Sequence, residues 1–258
     1  MKTLPSLFVS HGAPTFALDP GRAGQGLAAL GRTLSRTKAI LVVSPHWMTP
    51  DVQVSTAIRP ETIHDFGGFD PTLYDILYPA AGAPRIASRA LELLSQAGWP
   101  ATANQHQGLD HGAWVPLLHL FPKADVPVFQ VSMPMDLDAE AAFGLGRALA
   151  PLADEGVLII GSGSLTHNLY EFRNRHDDGE SYAIEFSQWI RRAVLDGDHH
   201  RLVHALDLAP HARRAHPTTE HFLPLLVALG AANSANEARV IEGGIQHGVL
   251  AMDSFVFG

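Results

Sequence analysis

The sequence predicts an α/β fold, one domain built on a central, largely parallel or mixed β-sheet flanked by helices on both faces. Three observations predict it. Short runs that are apolar at nearly every position alternate with stretches of helical periodicity, as expected of strands buried on both faces of a sheet. No fixed-period repeat, low-complexity tract or linker divides the 258 residues, and Gly and Pro are spread along the chain. A chain of this length also suffices for one large domain burying roughly 70–75% of its extended surface.

The strands are expected at Ser6–Ser10 (SLFVS), Ala39–Ser44 (AILVVS), Val126–Ser132 (VPVFQVS) and Val157–Gly161 (VLIIG). Helices are expected over Gly24–Ser35, Pro84–Ala97, Asp138–Asp154, Ser181–Leu195 and Thr218–Ala231, where apolar residues recur about every 3.6 positions. Asp138 is an N-cap residue type, and Glu140 puts negative charge in the first turn, where the helix dipole favours it. Val249–Phe257 alternates like a final strand, placed at an edge of the sheet.

Composition excludes several function classes. Eighteen basic against twenty-six acidic side chains leave a formal charge of -8, which offers no electrostatic footprint for a phosphate backbone. Cysteine is absent, so a disulfide framework, an iron–sulfur cluster, a thiolate zinc site and a cysteine nucleophile are all excluded. The longest apolar runs, such as the one around Val157–Ile160, fall far short of the ~20 residues of a membrane span. Near the N-terminus the apolar stretch Ser6–Val9 follows Pro5 and is too short for a signal peptide. The expectation is a soluble cytoplasmic protein with no nucleic-acid or membrane partner; homo-oligomerisation stays open.

Fifteen histidines are the informative excess, because imidazole is both the commonest metal ligand and the base of physiological pH. His11 follows SLFVS, His46 follows ILVVSP and His167 follows LIIGSGSLT, each just past a predicted strand. Ligands of open α/β sheets gather at the carboxyl ends of the strands. The 35 residues between His11 and His46 match one β-α-β unit with both imidazoles on one sheet edge. Taken singly, a strand-end histidine is more often a hydrogen-bonded loop residue. Taken together, the three favour a metal or acid–base site.

His111, in LDHGAWVP, opens a helical segment, where the dipole would lower its pKa; the plainer alternative is a capping or packing residue beside Trp114. Glu220 and His221 are expected in the first turn of an apolar helix. Neighbours there point about 100° apart, so only one of them would face a site. His176, His199, His200, His204 and His211 lie among Arg, Asp and Gly and read as solvated surface, while His64, His106, His119, His216 and His247 are ambiguous.

Neutral imidazoles without thiolates suit Fe(II), Zn(II), Mn(II) or Ni(II), and three protein ligands with open positions define a catalytic rather than a structural site. There is no H-E-x-x-H, Gly161-Ser-Gly-Ser does not fit G-x-S-x-G, and Gly21-Arg-Ala-Gly-Gln-Gly is off pattern for a dinucleotide loop. Gly161-Ser-Gly-Ser could cradle an anion with its N–H groups, although a simple turn is commoner.

These same segments carry a resemblance. SHGAPTFAL around His11, VVSPHW around His46, DFGGFDPTLY from Asp65, LDHGAWVPL around His111, GSGSLTHNL around His167 and PTTEHFLPLLVALGAA around His221 are similar to the DODA-type (4,5-DOPA extradiol) branch of the LigB-like class III ring-cleaving dioxygenases. The blocks occur in order, from Ser6 to the C-terminal DSFVFG, and the resemblance implies one catalytic domain over residues 1–258. It implies one divalent metal per chain, Fe(II) for dioxygenase activity, with Zn(II) in the isolated protein as the other occupant. His11, His46 and His221 would be the metal ligands, with Glu220 as the alternative third. His167 would be the acid–base residue, or a fourth ligand when zinc is bound, and His111 would face the substrate. The implied reaction opens a catechol ring next to the diol with O2. A zinc-dependent hydrolase using the same histidines is the competing reading, and a catalytically silent metal-binding homologue the third. The loop from Asp65 to Tyr78 would help shape the pocket, without naming which catechol enters or which bond is cut.

Overall fold

The computed structural model describes residues 3–173, 179–233 and 237–258. These form the strands β1 (Ser6–Ser10), β2 (Ala39–Thr49), β3 (Val52–Ser55), β4 (Ala101–Asn104), β5 (Val128–Pro134), β6 (Val157–Gly163), β7 (Ala238–Ile241), β8 (Ile245–Gln246), β9 (Leu250–Ala251) and β10 (Ser254–Phe257). The helices are α1 (Gly21–Gly31), α2 (Pro84–Gln96), α3 (His111–Leu120), α4 (Ala139–Leu149), α5 (Pro151–Asp154), α6 (Ser181–Leu195), α7 (His199–Val203), α8 (Ala205–Leu208), α9 (Ala212–Ala215) and α10 (Leu223–Gly230).

Eight strands make one mixed sheet in the order β4-β3-β5-β2-β6-β1-β10-β7, and β8 pairs with β9 in a separate ribbon. The centre, β5-β2-β6-β1, is parallel throughout. These are the four runs expected from sequence, and burial on both faces explains why they read as continuous apolar runs. Antiparallel pairing enters through β3 against β5 on one side and β10 against β1 and β7 on the other.

Several expectations are corrected. β1 and β2 are parallel but not neighbours: β6 lies between them, so the β-α-β unit is split by a later strand. The final strand is not an edge, because β10 sits between β1 and β7, and the stretch before it breaks into β9 and a turn. β2 runs on to Thr49 across a register shift between Val43 and Met48, so His46 lies within the strand's irregular end. Pro45, which lacks an N–H, falls inside that shift. Asp138 does cap α4, accepting from the Ala141 N–H at 2.8 Å, but the expected long helix divides at Pro151 into α4 and α5. The expected helix from Thr218 starts only at Leu223, with Pro224 in its first turn, so Glu220 and His221 belong to the preceding turn.

Gly161 and Ser162 show how the sheet holds a helix on each face. Successive residues of a strand point to opposite sides. On one side a Cβ at Gly161 would lie 1.9 Å from the Pro224 carbonyl oxygen, so α10 rests directly on the strand. On the other, the Ser162 hydroxyl donates to the Gly112 carbonyl at the start of α3. This corrects the anion-cradle expectation, because Gly161–Gly163 are paired strand residues in register with Phe8–Ser10. α10 is buried on every side, as its uninterrupted apolar sequence requires.

Candidate active site

The carboxyl ends of β1, β2 and β6 open on a cavity of about 270 Å3 lined by His11, His46, His111, His167 and His221, with Phe66, Phe69 and Phe172 among its apolar walls. His11 follows β1 directly, its N–H donating to the Gly163 carbonyl at 2.9 Å, and Gly12, at φ +63°, turns the chain away from the strand. His221 comes from the turn before α10, which is tied to the end of β6 by the Ser164 N–H donating to the His221 carbonyl at 2.9 Å. His167 lies four residues beyond β6, its N–H held by the Ala215 carbonyl at 2.8 Å. His111 is the first residue of α3.

The helix start that carries His111 is fixed from below. Asp110, 1% exposed, caps α3 through the Ala113 N–H and accepts from Ser44 Oγ at 2.8 Å and Gln130 Nε2 at 2.6 Å. Burial raises the pKa of its carboxyl, with these bonds and His111 opposing the shift and nearby Asp65 adding to it. Gly112 lets the helix approach β2, since a Cβ there would lie 2.4 Å from Ser44 Oγ and 3.0 Å from His46 Cδ2. Ring centroids are 3.9 Å apart for His46 and His111, 5.0 Å for His11 and His46, and 5.1 Å for His46 and His221. His167 stacks on His221 at 3.5 Å with planes 7° apart.

Hydrogen-bond partners indicate which ring nitrogen of His11 and His221 faces the cavity, and a carboxylate does so for His46. Ser162 Oγ donates its one proton to Gly112, so at 3.0 Å from His11 Nδ1 it can only accept; His11 carries its proton on Nδ1 and turns a bare Nε2 inward. Glu220 Oε1 lies 3.1 Å from His221 Nδ1 and acts the same way, and His221 Nε2 is buried with no hydrogen-bond partner among the described residues. His46 Nδ1 lies 3.4 Å from Asp65 Oδ2, and its Nε2 is 3.2 Å from His11 Nε2. Two lone pairs facing each other beside a third orphaned one are unfavourable unless a cation satisfies all three. The nitrogens of His11, His46 and His221 lie within 4.8 Å of one another, a spacing that fits a metal ion.

Electrostatics keep these rings neutral and able to ligate. Burial, reinforced by the neighbouring histidines, holds His11 and His221 well below the usual imidazole range. Burial and His111 depress His46 to about 3, against the opposing pull of Asp65 and Glu220. Burial lowers His167 to about 4, with Glu220 opposing and His111 assisting. Near neutral pH His167 is therefore a base with a free lone pair.

Sequence reading gives Ser162 no role, names Asp65 only as the start of a pocket loop, and takes Glu220 as an alternative ligand rather than as the partner of His221. Asp65 accepts from the His111 backbone N–H at 2.9 Å and from His111 Nδ1 at 3.0 Å as well as facing His46. Ser162 orients His11, and Glu220 backs His221. Each acts across the fold rather than along the chain; only the adjacency of Glu220 to His221 was a signal on the page.

The remaining histidines stay outside the cavity. His200 and His211 are exposed and His199 and His204 half-buried, while His176 lies outside the described residues. His64, His119 and His216 each place Nε2 about 3.0 Å from a backbone carbonyl, of Ile76, Phe16 and Leu165 respectively. His106 is exposed, and His247 stacks on Phe172. His216 yields a prediction. It is 3% exposed, its Nδ1 has no hydrogen-bond partner among the described residues, and burial lowers its pKa from 6.5 to about 4. Below pH 6.5 the unfolded chain takes up a proton that the native ring refuses, so stability is full above that pH and falls as pH drops toward 4. The loss from this one group is about 3 kcal/mol. Urea unfolding of metal-free protein should show the decline, shared with the buried cavity histidines, and His216→Gln should make it shallower; equal slopes would remove His216 as a source.

Comparison with known proteins places the chain in a family. The model of the family described as the catalytic LigB subunit of aromatic ring-opening dioxygenase matches residues 7–255. The chain belongs to the LigB family. Within it, a Beta vulgaris protein named 4,5-DOPA dioxygenase extradiol is 39% identical over 256 residues, covering 98% of this chain and 96% of its own. A protein of the same name from Escherichia coli K12 is 38% identical over 261 residues, covering 99% and 95%. Among solved structures, that of an uncharacterized protein from Escherichia coli K12 superposes with a TM-score of 0.79 at 32% identity, over 99% of this chain and 100% of that one. The DODA-type branch suggested by the motifs is thus the branch to which these LigB relatives belong. Among the described residues, no helix is long and apolar enough to cross a membrane.

Proposed function

We propose that this LigB-family chain is an extradiol dioxygenase that opens the ring of a catechol with O2, using one divalent metal held by His11, His46 and His221, with Fe(II) as the active ion. The observation that carries the reading is the convergence of three imidazole nitrogens, one of them buried and without a partner among the described residues, in an aromatic-walled cavity of about 270 Å3. The all-nitrogen donor set suits Fe(II) and Zn(II) alike. When bound, the metal would supply Lewis acidity toward the diol and a redox-active centre where ring and O2 meet.

The chain's own residues supply binding, aim and proton transfer. Phe66, Phe69 and Phe172 offer apolar walls to the ring and keep water from it. His167, neutral and parallel to His221, takes a hydroxyl proton from the entering catechol and returns one as the ring opens. His111, with its Nδ1 proton held by Asp65, presents Nε2 as a second accepting atom among the cavity's lining residues. A ligand set without a carboxylate leaves the site more positive than a two-His-one-carboxylate site, which favours an anionic catecholate. The names of the curated relatives support a catechol as substrate.

The test is O2 uptake by anaerobically Fe(II)-loaded protein offered a panel of catechols, with absorbance followed for the ring-opened product. Uptake in step with product, lost in His11→Ala, is the expected result. One tightly bound metal with no uptake, together with ester hydrolysis that persists without O2, would overturn it in favour of a zinc hydrolase.

A further inference from the structure

Asp65 brings three nitrogens to one carboxylate, two of them, both from His111, as hydrogen bonds. Oδ1 accepts the His111 backbone N–H at 2.9 Å, and Oδ2 faces His111 Nδ1 at 3.0 Å and His46 Nδ1 at 3.4 Å. A carboxylate only accepts, so each imidazole it faces is steered to carry its proton on Nδ1 and to turn a bare Nε2 into the cavity. The side chain is 22% exposed, so it reaches the site from the rim.

The loop that delivers Asp65 is well anchored. The Trp114 indole N–H donates to the Ile63 carbonyl at 2.9 Å, the Ile63 N–H donates to the Leu109 carbonyl at 2.8 Å, and the Leu109 N–H to the Glu61 carbonyl at 2.7 Å. Phe66 packs edge-on against His111 at 5.6 Å and lines the cavity wall. The same loop therefore carries the polar group behind two imidazoles and an aromatic surface in front of them.

We propose that Asp65 is a positioning residue that sets the tautomer and aim of His46 and His111 together, coupling a metal-binding imidazole to a substrate-facing one. An amide could not replace it. Asn offers one accepting oxygen and one NH2, so it must either drop the His111 backbone bond or turn an N–H toward an imidazole Nδ1. The second outcome drives that ring to the Nε2–H form and removes the lone pair from the cavity, the fault that an Asp-to-Asn change introduces into a Ser-His-Asp triad. This inference rests on the proposed function for His46 as a ligand, but its first test does not.

That test is nitrogen NMR of 15N-histidine-labelled, metal-free protein near neutral pH, with the His111 signals identified by their loss in His111→Phe. In wild type, His111 should be protonated on Nδ1, and in Asp65→Asn the proton should move to Nε2. A wild-type His111 protonated on Nε2 would overturn the proposal outright. The second measurement is Zn(II) affinity by competition with a chromophoric chelator, expected to fall about 10–100-fold in Asp65→Asn. Asp65→Glu, which keeps a carboxylate, should preserve the tautomer and recover most of the affinity. Unchanged tautomers and Zn(II) affinity in Asp65→Asn, with only a lower unfolding midpoint, would reduce Asp65 to a loop anchor and refute the proposal. A wild type that binds no Zn(II) would instead remove the metal reading, leaving Asp65 to be decided by the NMR result.

Discussion

Replacing His221 by alanine is expected to abolish stoichiometric metal binding and to bring ring cleavage to background. His221 is 6% exposed, and its Nε2 is the one buried imidazole nitrogen at the cavity with no hydrogen-bond partner among the described residues. A four-ligand protein zinc site is worth on the order of 10–16 kcal/mol, so one ligand is worth about 3 kcal/mol, or about a hundredfold in affinity. Activity falls further than affinity, because the ring of His221 also supports His167 by stacking at 3.5 Å. Glu220→Gln should be milder, losing about tenfold, since Glu220 acts through His221 Nδ1. Metal titration by calorimetry and O2 uptake would read both variants. If His221→Ala kept its metal while Glu220→Ala lost it, the glutamate would be the third ligand and the assignment would be reversed.

Gly161→Ala is expected to cost about 3 kcal/mol of stability, at the upper end of overpacking penalties. The new Cβ would lie 1.9 Å from the Pro224 carbonyl oxygen, and a helix backbone cannot yield as a flexible side chain does. Relief requires α10 to lift from β6, and α10 is itself pinned on its far side, where Gly146 of α4 sits with its would-be Cβ 2.1 Å from the Val227 carbonyl oxygen. The unfolding midpoint should fall by roughly 6–12 °C. Because the turn holding His221 leads into α10, metal affinity should weaken as well. A stability change close to zero would mean that the helix is free to shift, and that the close approach does not fix His221.

The parts of the fold that were legible are those whose burial pattern is local. β1, β2, β5 and β6 declare themselves because each is buried on both faces, and α2 and α6 because each has one apolar face. β4 reads poorly, since ATAN at an outer position of the sheet is half-exposed and lacks an apolar run. β7 is short and partly exposed for the same reason. The start of α10 is not legible, because helical periodicity continues back through the turn that precedes Leu223 and Pro224.

The site divides along the same line. The sequence by itself determined the chemical alphabet: no thiolate, an excess of histidine, and His11 and His167 close behind buried parallel strands whose carboxyl ends share one edge. What only the tertiary structure decided is which nitrogen of each ring faces the cavity and what holds it there. Ser162 reaches His11 from 151 positions away, and Asp65 reaches His111 from 46. A tautomer is set by a hydrogen-bond partner, and a partner brought by strand order and helix packing leaves no periodicity in the chain from which it could be read.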